Sequence, residues 1–81
     1  MKEYRVMQLA TGGPREGEWL RAWIPLSGRT VHNFKTLEDA QAWIDKRPEW
    51  YAEYNEIHHL RMEVPQYRIE AREVTPWEVI A

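Results

Sequence analysis

Residues alternate in character from Glu3 to Leu9, with Tyr4, Val6 and Gln8 on one side and Arg5, Met7 and Leu9 on the other. A period of two predicts a strand here. Thr11 to Gly17, with three glycines and a proline, closes it in a hairpin loop longer than a two-residue turn. Glu18 to Ile24 alternates again, and the chain is expected to be organised around it because both of its rows suit burial. Leu20, Ala22 and Ile24 form one row; Trp19, Arg21 and Trp23 form the other. Pro25 should end pairing, since it has no N–H to give a ladder. Ser27-Gly28-Arg29 then predicts a second turn, and Thr30 to Phe34 a short edge strand that completes an antiparallel meander.

A helical pattern begins at Thr36. This residue precedes Leu37 and stands three before Asp39, a capping-box-like start. Leu37, Ala40, Trp43 and Ile44 recur at three- and four-residue spacing and form one apolar stripe. Pro48 should end this helix near Lys46, because its ring clashes with the carbonyl four residues back. Beyond it, Trp50, Tyr54, Ile57 and Val64 keep helical spacing, while His58 to Val64 also alternates as a strand would. A second helix over most of Glu49 to Leu60 is the preferred reading. Pro65-Gln66 breaks the chain, and Tyr67 to Val74 predicts a strand with Tyr67, Ile69 and Ala71 inward and Arg68, Glu70 and Arg72 outward. Thr75 to Ala81 is a short tail with apolar anchors, expected to dock.

The expected architecture is α+β: an antiparallel sheet of three to four strands with one or two helices packed on one face, in the order ββ(β)-α-(α)-β. Residues 1–81 form one small domain, too short for a second core. Aliphatic residues are few, with five each of Leu, Ile and Val, so the core must draw on the ten aromatics, five of them Trp. With a net charge of only −2, the composition favours folding over disorder. Without Cys there is no disulfide, thiolate nucleophile or cysteine zinc site. Neither an apolar signal core nor a run of transmembrane length occurs, so a soluble cytoplasmic protein, complete as written, is expected.

If helices cover one sheet face, the opposite face carries Trp19, Arg21, Trp23, Arg68, Glu70 and Arg72, together with Arg5. Guanidinium planes stack on indoles, each contact contributing about 0.5–2 kcal/mol. Three readings follow. The rings and arginine stems cover one another, with loops or the Trp77 tail completing the cover. Alternatively the face binds a protein partner or a second copy, since Trp and Arg are typical interface anchors. A third reading stacks single-stranded nucleic acid on Trp19 and Trp23, which the acidic net charge and Glu70 disfavour.

Nothing points to catalysis. Ser27, the only serine, sits in a turn where such a residue is expected, and the adjacent pair His58 and His59 points in different directions. No metal-ligand spacing or phosphate-binding loop is present, so no enzyme activity, metal or cofactor is expected. Glu38 and Asp39 suit a helix N-terminus. Between Thr36 and Gln66 seven acidic residues face three basic ones, a segment charge of −4 against +2 elsewhere.

The helix entry Phe34-Lys35-Thr36-Leu37-Glu38-Asp39-Ala40-Gln41-Ala42-Trp43-Ile44 and the returning Tyr67-Arg68-Ile69 resemble small orphan proteins of bacteriophage and prophage genomes. The likeness spans residues 3 to 74. It implies a mobile-element origin and a role in binding and blocking a host component, and it transfers no functional residues. On that basis the acidic surface of Glu38, Asp39, Asp45, Glu49, Glu53 and Glu56 is an alternative contact site, meeting a basic groove on a host nucleoprotein or defence complex.

Overall fold

The strand at the centre of the sheet is the first one, β1 (Lys2–Leu9), in a computed structural model that describes residues 1–25 and 27–74. The tail from Thr75, including Trp77, lies outside the described residues. β2 (Trp19–Arg21) pairs antiparallel along one edge of β1, with Met7 opposite Arg21 and Leu9 opposite Trp19. The last strand, β5 (Tyr67–Glu73), lines the other edge from Lys2–Glu73 to Gln8–Tyr67. A separate hairpin of β3 (Trp23–Ile24) and β4 (Arg29–Thr30) stands beside this three-stranded sheet.

The expected meander is therefore corrected. Glu18 to Ile24 is not one strand, because pairing with β1 ends at Ala22. That residue still donates its N–H to Val6 (3.0 Å), but its carbonyl accepts from Val31 (2.8 Å). The chain leaves β1 there, and Phe34 takes the vacated place through paired bonds with Tyr4 of 2.9 and 2.7 Å. One edge of β1 is thus shared by two separate pieces of chain. Ala22 sits at this branch point 0% exposed, its side chain a single methyl that packs into the core. Ile24, expected inward beside it, is 37% exposed.

The helices follow the pattern closely. Thr36 is extended (φ −129°, ψ 151°) and its hydroxyl accepts from the Asp39 N–H at 3.1 Å, capping α1 (Leu37–Asp45). Lys46 keeps a helical conformation (φ −82°, ψ −11°), so α2 (Arg47–His58) continues directly as the second limb of one bent helix. Pro48 sits in its first turn, where a missing N–H costs nothing. Helix over strand was the right preference for the stretch before His59. Left-handed backbone at His59 (φ 54°) then terminates α2. Asn55 pins the returning chain: its side chain donates to the Met62 carbonyl (2.9 Å) and accepts from the Met62 N–H (3.0 Å).

Val6, Ala22, Val31 and Ala40 form the core, with Tyr4, Phe34, Trp43, Ile44, Tyr67 and Ile69 packed against it. Both α1 and the inward row of β1 and β5 meet there, so the helical layer covers one sheet face. This is an α+β fold in the order strands, helix, strand. Among the described residues, no helix is long and apolar enough to cross a membrane.

Candidate functional site

The face turned away from the helices is set by register. Antiparallel partners share a face, so Glu3–Arg72, Arg5–Glu70, Met7–Arg68, Met7–Arg21 and Leu9–Trp19 fall on one surface. Trp19, Arg21, Arg68, Arg72 and Arg5 are thus brought together as the alternation implied. Trp23 is not. Once the chain leaves β1 at Ala22, Trp23 lines a shallow cleft with Trp43, Arg47, Trp50, Tyr51 and Tyr67, on the helical side. Its place in the open-face row is corrected, and a platform of two stacked indoles is not present on that face.

Two polar chains order what remains. In the first, Glu70 holds two arginines, one on each oxygen: Arg5 donates to Oε1 (2.9 and 2.6 Å) and Arg68 to Oε2 (3.1 and 2.7 Å). Arg68 starts on β5 yet stacks 4.5 Å over the Trp19 ring on β2, so its guanidinium crosses β1. That crossing accounts for Met7 being only 7% exposed on a face with no described helix over it. In the second chain, Glu3 Oε1 accepts from Arg72 (3.0 Å) and from the Asn33 amide, and Asn33 Oδ1 accepts from Arg21 (2.8 Å). Arg21 also donates to the Val31 carbonyl at 3.2 Å. Between the chains lies a cleft of about 300 Å³ whose lining includes Glu3, Arg5, Arg21, Asn33, Glu70 and Arg72.

These ion pairs are exposed, so solvent screens them and each adds little to stability. Their effect is to hold guanidinium groups in set directions. Four arginines against two carboxylates leave the face with a charge of +2. The arginine bonds hold both the Glu70 and the Glu3 carboxyl below the usual carboxylate value. Lowered native pKa values contribute stability above the unfolded value of 4.5, and this is lost as pH falls through the native ones. Thermal unfolding at falling pH should show a larger drop in Tm below pH 4.5 for the parent chain than for the Glu3→Gln, Glu70→Gln variant.

Glu3 and Asn33 were missed from the sequence. Glu3 belongs to the Arg5 row by simple alternation, so its signal was present; Asn33 joins only through the Tyr4–Phe34 bridge. A second Trp/Arg cluster was also overlooked. Arg47 lies 4.2 Å over Trp43 and 5.5 Å from Trp50, with its Nε donating to the Trp43 carbonyl (3.0 Å). The 43, 47, 50 spacing marks one helix face and could have revealed it.

The alternative acidic residues Glu38, Asp39, Asp45, Glu49, Glu53 and Glu56 are all exposed along α1 and α2, and none forms a salt bridge among the described residues. They make a solvated negative layer opposite the positive sheet face. No three His, Asp or Glu side chains gather into a metal-holding group among the described residues. No protein-family model, curated protein or solved structure matches the chain.

Proposed function

We propose that this protein is a non-enzymatic interaction module whose open sheet face, built from Trp19, Arg5, Arg21, Arg68 and Arg72, takes an acidic surface of a protein partner. The observation that carries this is the arrangement of three directed guanidinium groups, Arg5, Arg21 and Arg72, around a cleft of about 300 Å³ on a sheet face with no described helix over it, and a fourth, Arg68, stacked on Trp19 beside it. Arginine held in a fixed fork recognises carboxylates bidentately, with little further ordering needed on binding. The Trp19 indole adds a rigid apolar anchor beside them. A cysteine-free chain suits a reducing cytoplasm. The likeness to phage and prophage proteins makes a bacterial host component a fitting partner.

Affinity capture from bacterial lysate tests this with two matched variants. The Arg21→Glu, Arg72→Glu variant should lose the captured partner by about tenfold or more, because reversed charges oppose an acidic surface. The Glu49→Gln, Glu53→Gln, Glu56→Gln variant should retain it. The opposite pattern would move the contact to the acidic helical layer and remove the basis for this reading. Circular dichroism on each variant separates lost binding from lost folding.

A further inference from the structure

We infer that the outer edge of β5 pairs antiparallel with the same edge of a second copy of this chain. This goes beyond the proposed function, because it uses a strand edge and leaves the four arginines of the open face in place. Bonds from Leu9 N–H to the Gln66 carbonyl (3.0 Å) and from Val74 N–H to the Met1 carbonyl (2.7 Å) bracket the β1–β5 ladder. Arg68, Glu70 and Arg72 share that phase and turn their backbone groups toward β1. Tyr67, Ile69, Ala71 and Glu73 therefore turn theirs outward, where no described residue pairs with them. The edge is seven residues long, without proline, glycine or a bulge to interrupt it.

Charge complementarity selects both the occupant and the register. The outward phase requires odd residues to pair with odd residues, which excludes every shift by one. Centring on Glu70 sets Glu70 against Glu70 and Arg68 against Arg72, so like charges oppose one another. Centring on Ile69 makes Arg68 and the Glu70 of the second copy cross-strand neighbours, twice over by symmetry, so opposite charges adjoin while each Arg68 keeps its own Glu70 and Trp19. On the helical face the same register matches Ile69 with Ile69 and Tyr67 with Ala71. Centring on Ala71 also pairs opposite charges, but brings Glu73 beside Ile69. The Ile69-centred register alone satisfies both faces, and it joins two three-stranded sheets into one of six strands.

Two measurements on the whole chain test this. Light scattering across the micromolar to millimolar range should show the mass rising from one chain to two. Hydrogen exchange should show the Tyr67, Ile69 and Ala71 amides gaining protection as that rise occurs. Ala71→Pro removes one outward N–H without touching the β1 ladder, and should weaken the dimer at least about tenfold. A chain monomeric throughout the range overturns the inference. So does a dimer that survives Ala71→Pro, or one whose outer amides exchange freely or are protected at every concentration. If Ala71→Pro does not fold, exchange on the unmodified chain decides alone.

Discussion

Ala40→Asp is expected to abolish cooperative unfolding, while Ala42→Asp, two residues along the same helix, costs only about 1 kcal/mol from helix propensity and the like charges of Glu38, Asp39 and Asp45. Ala40 is 0% exposed and sits in the core with Val6, Ala22 and Val31, whereas Ala42 faces solvent. Both substitutions place the same residue in α1, so helix propensity and end effects largely cancel between them. What differs is the cost of burying a carboxylate without a partner, which is several kcal/mol. A domain of this length holds only about 4–12 kcal/mol in total. Thermal and urea unfolding followed by circular dichroism would read the contrast. A well-behaved transition for Ala40→Asp would mean that α1 can lift off the sheet at small cost, contrary to the packing described.

Tyr51→Ala should destabilise the fold by about 3–5 kcal/mol, as other buried aromatic truncations do. It is the one buried residue of α2, 2% exposed, and its ring meets Trp50 edge-on at 5.0 Å. Tyr51 lines one cleft with Tyr67, whose own ring packs against Trp43 at 5.4 Å. Burial first, and the Tyr51 hydroxyl second, push the Tyr67 phenol above its ordinary value of 10.0. A raised native pKa contributes stability that is complete below the unfolded value and is lost as pH rises above 10.0 toward the native one. Melting temperatures in alkaline buffers should therefore fall more steeply for the parent chain than for Tyr67→Phe. Equal slopes would show that another group governs the alkaline limb.

Much of the fold was legible because its signals are local. Thr36 capping α1, Pro48 starting a second limb and the alternation of Tyr67 to Ala71 depend on residues a few positions apart. The open face was legible in the same way for Arg5, Trp19, Arg21, Arg68 and Arg72, since alternation alone assigns each to a row. Alternation stops being a guide at Ala22. A strand pattern in Trp19 to Ile24 cannot show that the carbonyl of Ala22 turns to Val31, and that turn sends Trp23 to the helical side.

By itself, then, the order of residues determined the class of fold, the start of the first helix and, up to Ala22 and again from Tyr67, which side chains share a row, because periods of 2 and 3.6 are properties of neighbours along the chain. Only the tertiary structure decided that β1 is central, that β2 and Phe34 divide one of its edges, and that Glu3, Asn33 and Arg21 join in one polar chain. The physical reason is separation. Arg5 meets Glu70 across 65 positions and Arg72 meets Glu3 across 69. Which distant segments meet is settled by packing and backbone pairing over the whole molecule, where no local pattern reaches.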